Sequence, residues 1–346
     1  MIDLLVAGGG PAGLATAIHG ALAGLEVVVL EPRPTPIDKA CGEGLMPGAV
    51  RRLEELGVAV TGRPFHGIGY VDGATGLRAE ALFRSGPGRG WSRTELQAAL
   101  ADRAAALGVR VLARRAGEVR QDGRRVWAAG LTARYLVAAD GLHSPVRRGL
   151  GLAVPAAPGR TAAARYGLRR HYAVEPWSDL VEVYWARGAE AYVTPLGADR
   201  IGVAVLTSEQ APFDVQLARF PLLTARLPAP PGRGTGVRGA GPLRQRARTR
   251  VAGRVLFVGD AAGYVDALTG EGLTLAVSAA GELVRCVRAG RPQEYERAWR
   301  DLSRAYRTLT SALLWARRRA PLAGRIVPLA ARMPRAFTGA VNLLAR

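Results

Sequence analysis

The stretch IDLLVAGGGPAGLATAIHGALAGLEVVVLEPR (residues 2–33) constrains the fold more than any other part of the chain. Ile2 to Ala7 is a continuous apolar run, the pattern of a strand buried on both faces. Gly8, Gly10 and Gly13 follow it at once as G-x-G-x-x-G. Gly8 allows a tight turn, Gly10 lets a pyrophosphate approach the backbone, and Gly13 lets helix and strand pack closely. The spacing predicts a helix to about Ala23, stopped by Gly24, and then a second strand, EVVVLE. Glu31 at its tip stands where ribose hydroxyls are bonded, and the free N–H groups at the helix start suit a pyrophosphate. Strand, turn, helix, strand and acidic tip together predict a dinucleotide site. This segment alone does not separate FAD from NAD.

Three further stretches carry related signals. GWSRTELQAALADRAAALGVRVLA (90–113) reads as a helix and a strand, with Ser92 and Glu95 as a capping box and Gly108 as the stop. Arg93 lies in the first turn of that helix, where a cation opposes the dipole, so an anion is expected nearby. ARYLVAADGLHSPVRRGLG (133–151) is a buried strand ending in Asp140-Gly141. GRVLFVGDAAGYVDALTGEGLTLAVSAAGELV (253–284) is a strand ending in Gly259-Asp260, then a turn, then a long helix from about Gly272. Both aspartates end an apolar strand at a glycine, the place where open α/β sheets bind ligands.

As an ordered set these stretches resemble the FAD-dependent monooxygenase-type superfamily, with its para-hydroxybenzoate hydroxylase-like fold, and its geranylgeranyl reductase-like branch. The resemblance spans most of the first 285 residues. It implies an α/β fold: a Rossmann-like FAD-binding domain, an antiparallel β-sheet substrate domain and C-terminal helices. The FAD-binding domain is expected to be discontinuous (1–64, 90–155 and 240–292), the substrate domain to comprise 65–89 and 156–239, and the helical region 293–346. The resemblance implies that Gly8, Gly10, Gly13 and Glu31 hold the ADP half of FAD, with Pro11, Ala12, Pro32, Arg33 and Leu45 also counted as cofactor-binding. Arg93 would lie along the phosphates and flavin, and Asp140-Gly141 would close the sheet beside the pyrophosphate. Gly259-Asp260 would reach the ribityl chain, while Gly270, Gly272 and Leu273 would sit against the flavin ring.

The turn DKACGEGLMPG (38–48) holds the only lysine, Lys39, and one of two cysteines, Cys41. It is expected at the flavin end, with Cys41, Gly42 and Gly44 near the ring. Cys41 reads as a packed residue, a thiol that tunes or shields the flavin, or a proton donor. Glu43 is the better acid/base candidate, and Tyr192 is a third candidate. Many aromatic hydroxylases of the superfamily carry an Arg-rich turn here, and geranylgeranyl reductases a Cys-Gly-Gly type turn; KACGEG matches neither and leans toward the second.

The runs DLVEVYWARG, EAYVTPLG and DRIGVAVL alternate as antiparallel strands, and FHGIGYVDGATGLRAEALF (65–83) is expected in the same sheet. Tyr166, Tyr184, Trp185 and Tyr192 are its candidate pocket residues, with ordinary sheet packing as the competing reading. Tyr192, Pro195 and Gly197 parallel a Tyr/Phe…Pro…Gly pattern of geranylgeranyl reductase-like proteins. The Trp-x-Trp signature of flavin halogenases is missing.

The formal charge of +20 would ordinarily suggest nucleic acid, but 47 of the 48 basic residues are arginine and Asn342 is the only asparagine. That is a coding bias, and no nucleic-acid-binding motif accompanies it. The scattered His19, His66, His143 and His171 and the two distant cysteines predict no metal site and no disulfide framework. No apolar run reaches the ~20 residues of a membrane span, so a cytoplasmic location is expected. From Leu302 onward there are nine arginines and no acid, in helices broken by Pro321, Pro328 and Pro334. They suit a weak peripheral contact with an anionic membrane, or packing on the body with arginine outward.

These features predict an FAD-dependent oxidoreductase with a small-molecule substrate and NADPH or NADH as transient reductant. Three chemistries follow in order: oxygenation of a small hydrophobic or aromatic substrate, geranylgeranyl reductase-like reduction of a prenyl double bond, and a non-catalytic flavin-binding role.

Overall fold

The opening strand Ile2–Ala7 is buried because it lies at the centre of a parallel sheet, paired with Val27–Leu30 on one side and Leu131–Ala138 on the other. The protein is described by a computed structural model that covers residues 1–155, 164–229 and 236–346. The sheet runs in the order Val251–Ala252, Val255–Phe257, Leu131–Ala138, Ile2–Ala7, Val27–Leu30, Arg110–Leu112, and the last five strands are parallel. The helix Pro11–Leu22 follows the glycine turn and packs between Arg93–Ala106 and Gly272–Arg288. The capping box forms as expected: the Ser92 side chain accepts the Glu95 N–H at 3.2 Å, and the Glu95 carboxylate accepts the Ser92 N–H at 3.3 Å.

A second sheet lies across the first. Its order is Arg238–Ala240, Tyr166–Ala173, Arg200–Thr207, Ala189–Pro195, Leu180–Ala186, Gly67–Asp72, Arg78–Leu82. Every pair is antiparallel except Leu180–Ala186 with Gly67–Asp72, which run parallel. A three-stranded sheet of Gly44–Leu45, Gly88–Gly90 and Arg63–Phe65 joins the two. Arg238–Ala240 is thus an edge of the second sheet, and the chain re-enters the first only at Val251–Ala252. The expected boundary between 155 and 156 falls at the edge of the described residues, and 156–163 and 230–235 lie outside them.

Side-chain alternation divides the second sheet. Tyr184, Ala191, Val193, Val203 and Val205 pack on the outer face with Phe213, Leu217 and Phe220. Val183, Trp185 and Leu206 face the first sheet and the C-terminal helices. Those helices are Glu294–Arg317, Ala320–Ala323, Ile326–Arg332 and Pro334–Leu344. Pro334 opens the last one, where its missing N–H costs nothing. Among the described residues no helix is long and apolar enough to cross a membrane.

Candidate active site

A cavity of about 550 Å³ lies between the two sheets. Its floor is the end of the parallel sheet, and the residues expected at a cofactor meet there: Gly10, Pro11, Ala12, Arg33, Cys41, Gly42, Gly44, Arg93, Asp140, Gly141, Gly259, Asp260, Gly270, Gly272 and Leu273. Gly8 and Gly13 shape the turn from behind. A Cβ on Gly13 would fall 1.9 Å from the Gly8 carbonyl oxygen, and one on Gly8 would fall 2.4 Å from that of Ala139. Two expected residues stand elsewhere. Leu45 points into the core because its strand turns that face inward, and Pro32 is exposed beyond the strand tip.

Glu31 is buried, and its Oε2 accepts the Gly9 N–H at 2.8 Å. Burial works against its charge, but Arg33, with Nε 2.8 Å from Oε1, and the N–H groups of Gly9 and Arg33 hold the carboxyl below its usual value. The helix start at Gly10 has no side-chain cap, so its N–H groups are free for an anion. Lys39 reaches across the floor to Asp260, Nζ to Oδ2 at 3.4 Å, and lies over Gly141. The single lysine therefore ties the DKACGEG turn to the Gly-Asp loop.

Among the floor atoms buried without a hydrogen-bond partner in the described residues are Nε of Arg93, a donor, and Oδ1 of Asp140, an acceptor. Gly42 has nothing within 4 Å of where a Cβ would stand. A row of free N–H groups, three cations (Arg33, Lys39, Arg93), an unmet donor and an open glycine fit the diphosphate and ring of a flavin dinucleotide. Burial pushes the Asp140 carboxyl above its usual range, although Ser144 and the Val146 N–H draw it back.

Glu43 is not a free acid. It sits at φ 59°, a left-handed conformation unusual for a side-chain-bearing residue, and its groups are committed. The backbone oxygen accepts the Trp91 N–H at 2.9 Å, and Oε1 accepts the Arg93 N–H at 2.8 Å. Oε2 meets His171 Nε2 at 2.5 Å, and Arg169 lies 3.6 Å from Oε1. Arg169 and Arg238 both pair with Asp38. Glu43 thus fixes the turn to the Arg93 helix and to the roof strand Tyr166–Ala173. Burial pushes the Cys41 thiol up, so it is held protonated.

The roof is mostly aliphatic, with Ile68, Val181, Val183, Ala204, Leu206 and Leu243 in its lining, alongside Arg169 and two tyrosines. Of the four expected aromatics only Tyr192 lines it. Tyr184 falls on the outer face and donates to Glu182 Oε2 at 2.7 Å. Trp185 packs edge-on behind Tyr70 at 5.1 Å, and Tyr166 lies over Gly241. Tyr70 takes a place in the lining that sequence reasoning did not assign. Two roof hydroxyls are spent on the floor: Tyr192 donates to the Leu268 carbonyl and Thr194 to that of Gly42, each at 2.8 Å.

Other missed residues position the floor. Arg147 is fully buried and donates to the carbonyls of Ala261 (2.8 Å) and Leu142 (2.7 Å), bridging the Asp-Gly and Gly-Asp loops. Ser144 capping the short helix Pro145–Gly149 was the available sequence signal for it. Gln97 accepts the Ile37 N–H at 3.1 Å and donates to the Gly9 carbonyl at 3.2 Å. The loop before Gly272 is held by Arg165, which pairs with Asp266 at 2.9 Å and Glu190 at 2.7 Å; Arg317 also pairs with Glu190. Tyr306 donates to the Asp266 carbonyl at 2.7 Å.

The sequence matches the family described as FAD binding domain over residues 1–194. It is 32% identical over 304 residues to the menaquinone reductase of Mycobacterium tuberculosis, covering 78% of this chain and 72% of that protein. It is 30% identical over 308 residues to the digeranylgeranylglycerophospholipid reductase 1 of Methanopyrus kandleri, covering 80% and 77%. The p-nitrophenol 4-monooxygenase of Pseudomonas putida shares the fold, with a TM-score of 0.76 at 19% identity over 99% of this chain and 98% of that one. The glycine turn, the unmet donor of Arg93 and the Asp-Gly and Gly-Asp loops agree with these matches: the chain belongs to the FAD-binding domain family and is an FAD-dependent oxidoreductase.

Proposed function

We propose that the protein is a reductase acting on a carbon–carbon double bond in a prenyl or similarly apolar chain, with NADPH or NADH as transient electron donor. The carrying observation is the roof, which is mostly aliphatic and ties the hydroxyls of Tyr192 and Thr194 to backbone carbonyls, leaving Tyr70 as its other tyrosine. A phenolic substrate needs a polar group to orient it, whereas a hydrocarbon chain needs shape and dryness. The names of the reductases among the relatives support the same order, so alkene reduction moves ahead of oxygenation.

Bound FAD would supply the two electrons. The residues of this chain do the rest. The N–H groups after Gly10, with Lys39 and Arg93, would hold the phosphates. Gly42 and Gly270 leave room for the ring. The roof removes water and presses the chain against the floor. Trp315, Leu329, Met333 and Leu343 are exposed on the arginine-rich C-terminal helices, which supports a weak contact with an anionic membrane as the source of a lipid substrate.

The test is anaerobic turnover of the FAD-loaded protein, reduced by NADPH, NADH or dithionite in turn, with menaquinone and a geranylgeranyl lipid. A product whose prenyl chain has gained two hydrogens, measured after any quinol is reoxidised to the quinone, supports the reading. A product gaining one oxygen atom in air, with none hydrogenated anaerobically, overturns it.

A further inference from the structure

The last helix, Pro334–Leu344, carries Phe337, Val341 and Leu344 at i, i+4 and i+7, one stripe along a single face. Val341 and Leu344 line the cavity, as do Met46, Phe65 and Ile68. Phe337 packs on Tyr70 with ring centroids 4.7 Å apart. The helix reaches this position through specific contacts. Asn342 acts as a peptide does at a sheet edge: its Oδ1 accepts the Arg84 N–H at 2.7 Å and its Nδ2 donates to the Leu82 carbonyl at 2.9 Å. The chain's only asparagine is thus spent on docking this helix against the edge strand Arg78–Leu82. Less than one turn further on, the Gly48 N–H donates to the Ala345 carbonyl at 2.9 Å. A Cβ on Gly48 would fall 2.0 Å from the Arg346 oxygen, so the contact requires glycine.

We propose that this helix is the end wall of the cavity and that Val341 and Leu344 set the length of apolar chain the site accepts. The inference rests on the reading of the substrate as an apolar chain. A wall pinned at Tyr70, at Leu82 and Arg84, and at Gly48 cannot yield freely, so a longer chain meets it as overlap and a shorter one leaves contacts unmade. Trimming the wall should therefore lengthen the preferred chain, and enlarging it should shorten it.

The experiment uses the full FAD-loaded chain and a series of prenyl alcohols increasing by one isoprene unit. Binding is read from quenching of the bound flavin's fluorescence, and reduction is read separately. Leu344→Ala should improve affinity for the next longer alcohol relative to the wild type's preferred one by roughly tenfold. Val341→Phe should shift the preference toward shorter alcohols by a similar factor, and neither should change FAD affinity. Because the two variants push in opposite directions, general loosening of the fold cannot imitate the result. Binding preferences that shift without any reduction would retain the wall and sink the reductase reading. A length profile identical in all three proteins, or no binding of any alcohol by the wild type, would overturn the wall.

Discussion

The floor and the roof of the cavity are built on opposite terms. The floor is polar, glycine-rich and closed by hydrogen bonds that tie the Gly42–Gly44 turn to Arg93 and the Asp140–Arg147 loop to the Gly259–Ala262 loop. The roof is mostly aliphatic side chains carried by the second sheet, and the hydroxyls of Tyr192 and Thr194 are turned to the floor. Backbone that must come close to a charged dinucleotide tolerates few residues at each position, while a wall that need only be dry and correctly shaped tolerates many. One half therefore specifies the cofactor, and the other leaves the substrate to shape.

The sharpest way to break the comparison is at the floor. Gly13→Val places side-chain carbons where the Gly8 carbonyl lies, and should abolish FAD binding; the flavin absorbance of the purified variant checks this, and a normal flavin content would refute the close-packing argument. Next is the brace between the halves. Arg165→Met leaves Glu190 and Asp266 buried beside one another, and should cost about 3–5 kcal/mol in urea unfolding. A loss below about 1 kcal/mol would mean that the cluster behaves like a surface pair. At the roof, Val183→Thr adds a hydroxyl of equal shape to a dry surface. It should raise KM for an apolar substrate roughly tenfold and leave FAD affinity alone; a matching fall in FAD affinity would erase the division of labour.

A smaller effect concerns pH. Burial pushes the Glu271 carboxyl up to about 8, at the start of the helix Gly272–Arg288. A carboxyl whose folded value is raised contributes fully below its unfolded value and loses that contribution as pH rises through the folded one. Glu271→Gln should therefore gain in Tm over the wild type between about pH 5 and about pH 9. A constant difference across that range would place the carboxyl in water. The smallest change is expected from Cys41→Ala, which should keep its flavin and most of its turnover. Near-complete loss of turnover with flavin retained would make the protonated thiol a proton donor instead.

How much could be read beforehand follows the same division. The strand, glycine turn and helix at residues 2–22, the Ser92 capping box and the antiparallel strands between 180 and 207 were legible, because each depends on neighbours in sequence. The roof's aromatic residues were not. Alternation on Leu180–Ala186 puts Tyr184 outside, and only the sheet's orientation decides which face is which. Arginine was misleading in a different way. A chain with so many invites a single compositional explanation, yet Arg147, Arg165 and Arg169 are buried and each holds a named pair of elements. Composition says nothing about which of them lie inside. Asn342 was visible as an isolated asparagine, but its partners, Leu82 and Arg84, come from the opposite end of the second sheet's history in the chain.

The parallel pairing of Gly67–Asp72 with Leu180–Ala186 bears on the order of assembly. A parallel pair cannot form as a hairpin; its two strands wait for everything between them, here including Arg110–Leu112 and Leu131–Ala138 of the first sheet, to be threaded. Closing so long a loop is entropically slow, and the contact order of the roof is correspondingly high. Under refolding conditions the dinucleotide half is expected to acquire hydrogen-exchange protection first, with a cofactor site present before there is any chamber above it.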